Sequence, residues 1–199
     1  QARHLGLSNV VTQVETYLGE TNARRGALGE ARVLLEHAAK AAADQCNTQL
    51  EGKARTALAD LLCQVGEYGE AEAEARRAVE VLEIYLPDRA TALGVCSHIL
   101  LNREQNEESL EMAEDAVELL ESLGGIADGE SCVRLAHSEA LAAMGEIEAA
   151  ETAINIAYDR LLERAELIRD DNARNHFLRS VPANARTLEL ARQWATRAS

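Results

Sequence analysis

The sequence predicts an all-α superhelix of stacked helical hairpins, and three observations lead there. First, the segment GEYGEAEAEARRAVEVLE (66–83) has near-copies elsewhere in the chain. Its framework of Gly66, Tyr68, Ala71, Ala75 and Ala78 recurs as Gly26, Leu28, Ala31, Leu35 and Ala38, and again as Gly145, Ile147, Ala150, Ile154 and Ala157. Setting AVELLE (Ala116 to Glu121) against AVEVLE (Ala78 to Glu83) adds a degraded copy through Glu104, Asn106, Ser109, Ala113 and Ala116. The steps are 40, 38 and 41 residues (26 to 66 to 104 to 145), and a near-constant period of that size marks a solenoid or a propeller. Second, apolar residues fall three or four apart, which is helical spacing. Third, alanine, leucine and glutamate dominate, while only 3% of residues are aromatic and only 2 are proline, so strands are poorly supplied.

Each unit reads as two helices. In the first, helix A runs near Val10 to Arg24 and helix B near Leu28 to Ala43. In the second, TALADLLCQVG (Thr56 to Gly66) ends helix A, with Leu58, Leu61, Leu62 and Val65 as an apolar stripe. Gly66 supplies the left-handed turn that stops it. Helix B follows from Tyr68 to Tyr85, with Ala71, Ala75 and Ala78 on one face. Alanine there lets two backbones approach closely, and a larger side chain would cost roughly 1–3 kcal/mol in overpacking. The third unit has helix A from Asp88, after a break at Pro87, to Arg103, and helix B from Glu108 to Leu123. Gly124-Gly125 ends that helix, and the loop GGIADGE leads to the fourth helix A, Glu130 to Met144. The fourth helix B begins at Ile147 and reaches toward Ile168, and Asp170-Asp171-Asn172 reads as a stop followed by a new N-cap. The tail HFLRSVPANARTLELARQW gives a short helix, a break at Pro182, and a last helix carrying Leu188, Leu190, Ala191 and Trp194. A solenoid needs an atypical terminal unit, and Phe177 and Trp194 are the residues expected to cover the last face. The expected division is one domain over 1–199, with units at 8–44, 50–86, 88–123 and 129–168 and a cap at 172–197.

At these residues the sequence resembles the tetratricopeptide repeat (TPR). The second unit carries Leu58-Ala59-x-x-Leu62, then Gly66-x-Tyr68-x-x-Ala71, then Ala75 and Ala78; the first carries Leu18-Gly19 and Gly26-x-Leu28-x-x-Ala31; the fourth keeps Gly145-x-Ile147-x-x-Ala150 and Ala157. The third departs, with Glu104 for the glycine and Ser109 for the alanine, and its turn is the one that the pattern does not specify. The units exceed the family's 34 residues, which implies longer helices. The tail FLRSVPANARTLELARQW is similar to the ends of TPR-like regions in large bacterial signalling proteins, multidomain serine/threonine kinases and ATPase-type regulators among them. That likeness implies a cytoplasmic, partner-sensing region, and a start at Gln1 fits a piece of a longer polypeptide.

The formal charge is −14, from 34 acidic and 20 basic residues. Such a surface repels phosphate backbones and anionic membranes, so nucleic acid and membrane are not the expected partners. A basic or amphipathic protein segment matches it better. No apolar run approaches the roughly 20 residues needed to span a bilayer, and no signal-peptide pattern is present. Cys46, Cys63, Cys96 and Cys132 lie far apart and read as small buried hydrophobes.

Catalytic motifs are missing. There is no Walker loop, no Gly-x-Gly-x-x-Gly and no His-Glu-x-x-His. Cys96 and His98 are two residues apart on a helix, so their side chains diverge. His137 sits on an apolar stripe and reads as a core histidine. No cofactor, metal or enzymatic activity is expected. In TPR arrays the A helices line a concave groove that takes a peptide or a partner helix. Carried over by frame, the resemblance implies Gln13, Thr16, Glu20 and Arg24 in the first unit, and Lys53, Thr56, Asp60 and Gln64 in the second. His98 and Asn102 follow in the third and Glu139 in the fourth. The set lacks the Lys and Asn cluster with which some family members clamp a C-terminal carboxylate. The expected function is binding of a protein or peptide partner, with small-ligand sensing and homo-oligomerisation as alternatives.

Overall fold

Among the residues described by the computed structural model (2–196, with side chains over 8–196), helix follows helix and no strand occurs. Four hairpins come first: α1 (Ala2–Arg24) with α2 (Leu28–Asp44), α3 (Thr48–Gln64) with α4 (Tyr68–Val81), α5 (Leu86–Asn102) with α6 (Asn106–Ser122), and α7 (Glu130–Ala143) with α8 (Ile147–Glu166). Two further helices, α9 (Asp171–Ser180) and α10 (Pro182–Ala195), close the chain. Residue 197, the expected last residue of the cap, lies outside the described residues.

Helix ends follow local chemistry. The Asn47 side chain accepts the Leu50 N–H (3.1 Å) at the start of α3, and Asp170 does the same for the Ala173 N–H (2.7 Å) at the start of α9. Pro87 does not break the chain before α5; it lies inside the first turn, where its missing N–H has no partner to lose. α4 stops at Val81 rather than Tyr85, because the tight link to α5 consumes the last turn, with the Tyr85 N–H donating to the Leu82 carbonyl (2.9 Å).

The turn at Glu104 is formed as in the glycine-bearing units. Gly66 takes φ +82°, and the Gly66 and Glu67 amides donate to the Cys63 (3.1 Å) and Leu62 (2.9 Å) carbonyls. Glu104 takes φ +60°, with the Glu104 and Gln105 amides on the Leu101 and Leu100 carbonyls, both at 3.0 Å. The packing of the hairpin dictates this turn, and a non-glycine residue accepts a left-handed backbone at a cost of about 1–2 kcal/mol.

The small residues of the repeat frame are wedged between helices: Ala31, Ala71, Ser109 and Ala150 are all fully buried. Serine is tolerated because its hydroxyl donates to the Ser97 carbonyl (2.8 Å). Close approach is carried further at Gly52, where an added Cβ would meet Leu82 at 2.3 Å. The core runs the length of the stack, from Ala31 and Leu35 through Leu61, Cys96 and Ile99 to Leu135, Ile154 and Trp194.

Two layers result. The backbones of α1, α3, α5 and α7 each pack on the next in that series, whereas those of α2, α4, α6 and α8 stand further apart and are bridged by long side chains, Arg32 of α2 to Glu70 of α4 (3.0 Å) and Arg76 of α4 to Glu108 of α6 (2.7 Å). The A helices therefore form the inner, concave layer and the B helices splay on the outside. α10 packs on α7 and α8, taking the place that a fifth A helix would hold. Its Trp194 is 7% exposed and packs with Leu135, Leu141 and Ile154. Phe177 does not share that role: α9 buries no residue and touches only α8 and α10.

A buried charge cluster ties α7 and α8 to the loop between α6 and α7. Glu130 is paired with Arg134 (2.9 Å), Arg160 (3.3 Å) and Arg164 (3.1 Å), and Arg164 also donates to the Ile126 carbonyl (2.8 Å). Burial alone would raise the Glu130 carboxyl, but Arg134 and Arg160 outweigh it and hold it below the usual carboxylate range. No helix among the described residues is long and apolar enough to cross a membrane.

Candidate interaction groove

The concave layer brings most of the sequence-predicted residues into two clusters. In the first, on α1 and α3, Glu20 lies half-buried beside Arg24 (3.9 Å). Burial raises its carboxyl. Lys53 pairs with Asp88 (3.3 Å), which also accepts from Gln49 (2.8 Å). Asp60 accepts from Gln64 (2.8 Å) and, among the described residues, has no cation at ion-pair distance. The residue is exposed, yet crowding by the groove walls pushes its carboxyl up, with the Gln64 hydrogen bond and the more distant His98 and Arg24 acting in the opposite sense. Asp128, from the loop before α7, adds its charge to the field felt by Glu20 and Lys53.

The second cluster lies between α5, α7 and α10. The Asn102 amide donates to the His98 carbonyl (2.8 Å), and His98 Nδ1 lies 3.9 Å from Glu139. Glu139 accepts from Arg186 (3.1 Å), an α10 residue. Around them opens a cleft of about 350 Å³, whose apolar wall is Leu101, Ala142, Leu190 and Trp194.

Two predicted residues do not serve the groove as expected. Thr16 is 4% exposed, and its hydroxyl donates to the Thr12 carbonyl (3.0 Å), so it belongs to the packing of α1 rather than to a binding face. Thr56 is half-buried with its hydroxyl on the Gly52 carbonyl (2.9 Å). Gln13 is exposed on α1, on the helix face that also carries Glu20 and Arg24. The sequence reading missed Asp88, Asp128, Arg186 and Trp194 as groove residues. Asp128 and Arg186 come from a loop and from the cap, which no repeat frame registers.

Cys96 and His98 do not form a nucleophilic dyad. Cys96 is buried while His98 faces solvent, so the two diverge as the helical spacing requires. Burial pushes the thiols of Cys63 and Cys96 up to about 11 and that of Cys132 up to about 12, which keeps them protonated. Cys46 differs from the expectation of burial: it is exposed, in the α2–α3 turn, at φ +54°. His137 is half-buried beside Leu141 and Ile156, and burial lowers its pKa, consistent with a neutral packing histidine.

The repeated hairpins, the two layers and the end cap can be matched against known folds. A crystal structure described as a Podosopora anserina putative kinesin light chain with nearly identical TPR-like repeats superposes with a TM-score of 0.63 at 17% identity, covering 96% of this chain and 98% of that one. A second crystal structure of that protein, carrying a single substitution, gives a TM-score of 0.63 at 18% identity over the same shares. The fold is a TPR-like superhelix. No family model matches the sequence, and no curated protein does. At this identity the TPR-like likeness speaks for architecture alone.

Proposed function

We propose that the chain is a non-catalytic protein-interaction module that takes a peptide or helix of a protein partner along the concave face. The observation that carries this reading is the groove itself, with aligned polar side chains, an Asp60 carboxylate with no cation at ion-pair distance among the described residues, and an adjoining apolar cleft ending at Trp194. A ligand bearing an Arg or Lys with an apolar side chain nearby would satisfy both features. The acidity of the chain supports a protein partner over nucleic acid or membrane. The tail's similarity to repeat regions of bacterial kinases and ATPase-type regulators supports a scaffolding or regulatory role within a larger signalling protein.

The test is a selection from a random 16-residue peptide library on the immobilised chain, followed by fluorescence anisotropy. Selected peptides should carry basic residues and lose affinity for Asp60→Lys, an exposed change that leaves the core intact. Peptides that bind wild type and Asp60→Lys equally would remove the groove as the site. A second reading, small-ligand sensing, draws on the cleft of about 350 Å³ with His98, Asn102, Glu139 and Arg186 converging on it. It predicts a rise in Tm with a metabolite from a thermal-shift screen, abolished by Glu139→Gln.

A further inference from the structure

The outer face of α1 carries an apolar stripe that nothing among the described residues covers. Val10, Val11, Val14, Tyr17 and Leu18 are each 49–56% exposed, and they account for five of the thirteen large hydrophobics that are exposed among the described residues. Scattered exposed hydrophobics need no explanation, but a contiguous row does.

The repeat frame says what such a row is for. Adding 40 to Val14, Tyr17 and Leu18 gives Ala54, Ala57 and Leu58 of α3; adding 38 more gives Ala92, Val95 and Cys96 of α5; adding 41 more to the first of these gives Val133 of α7. Ala54, Ala92 and Val133 are fully buried, and each is covered by the preceding B helix. Ala54 packs with Ala38 and Ala39 of α2, Ala92 with Ala78 of α4 and Leu82 at its C-terminal end, and Val133 with Ala116 and Leu120 of α6. Val14 occupies the same position on the one A helix that has no preceding B helix among the described residues. The face is therefore a helix-receiving face.

Two features say which helix covers it. The stripe is charge-free on a chain of net charge −14. Of the carboxylates of α1, Glu15 is held by His37 (2.8 Å) and Glu20 lies beside Arg24, whereas the outer flank of α6 exposes Glu111, Glu114, Asp115 and Glu118. Here two strongly acidic copies can meet without like charges opposed. The stripe is also symmetric about Val14, with apolar residues at −4, −3, +3 and +4. In an antiparallel pair related by a two-fold axis, Val10 would face Leu18 of the second copy, Val11 would face Tyr17, and Val14 its own counterpart. That is the self-complementarity a closed dimer requires.

We infer that the chain forms a two-fold homodimer in which each α1 supplies the covering helix for the other, with Val14 at the axis. At the opposite end, among the described residues, α10 packs over α7 and α8. Sedimentation equilibrium of the 199-residue chain over a dilution series should show the mass of two chains giving way to one. Val14→Asp alters an exposed residue and leaves far-UV circular dichroism unchanged, yet it should raise the dimer dissociation constant on the order of 100-fold, since two carboxylates are brought face to face. With Cys46 replaced by Ser, Val14→Cys should cross-link under diamide, whereas Val33→Cys, exposed on α2, should not. A mass of one chain at every concentration overturns the inference, and so does a dimer that survives Val14→Asp. Groove binding is measured separately, so failure here leaves the interaction reading standing.

Discussion

At one end of the superhelix α1 leaves its apolar face in water, and at the other α10 is folded over the last hairpin. Both faces come from the same repeat and pose the same problem. The C-terminal end solves it within the chain: α10 enters the inner layer, buries Trp194 against Leu135 and Ile154, and brings Arg186 to Glu139. The N-terminal end leaves Val14, the equivalent of buried Ala54 and Val133, half exposed. Periodic packing thus specifies what each face accepts.

The largest effect that can break this contrast is removal of the cap. Trp194→Ala should cost about 3–5 kcal/mol in urea unfolding, because it empties a packed site on the core. Under conditions where the chain is a single copy, Val14→Ala should change stability by less than about 0.5 kcal/mol. Equal losses at the two sites would mean that the ends are alike. Next come the frame alanines. Ala150→Leu, locked among α7, α8 and α10, should fall near the top of the roughly 1–3 kcal/mol range for overpacking, and Ala31→Leu near the bottom, because α1 is free to move outward. Thermal or urea unfolding of the pair measures that difference directly.

The helices, the layers and the frame were legible in the sequence, because small side chains recurring at 40, 38 and 41 residues can repeat only if successive hairpins pack alike. The groove was legible only in part. The frame locates a row on each A helix but not the direction of every side chain, so it places Thr16 in the groove although the hydroxyl is spent on the Thr12 carbonyl. It is silent on loops and caps, which is where Asp128 and Arg186 arise. The Glu104 turn gives the converse lesson: local sequence left this turn unspecified, and the packing of α5 on α6 imposed a regular one. Relieving that conflict should be measurable. Glu104→Gly should stabilise the chain by about 0.5–1 kcal/mol, as glycine takes a positive φ without strain but adds freedom to the unfolded chain. Gly66→Ala, at φ +82°, should do the opposite.

The smallest expected effect carries the contrast between the ends into the groove. Glu139, near the cap, is given a direct cation by α10; Asp60, nearer the open end, has none at ion-pair distance among the described residues and feels Arg24 and His98 only from further away. Burial holds the Asp60 carboxyl above its ordinary value of 3.8, so the folded state binds the proton more tightly than the unfolded state does. The contribution of this group to stability is then complete below pH 3.8 and is lost as the pH rises through the raised folded value. At pH 7 the ionised carboxylate is a local cost of folding, one that an incoming Arg or Lys would relieve. Asp60→Asn removes the charge and should raise Tm at pH 7, with the gap from wild type narrowing as the pH is lowered toward 3.8. The selected basic peptides should raise Tm for wild type and not for Asp60→Asn. A lower Tm for Asp60→Asn at pH 7 would mean that the carboxylate already has a stabilising partner in the folded chain, and that the groove presents no unmet charge to a ligand.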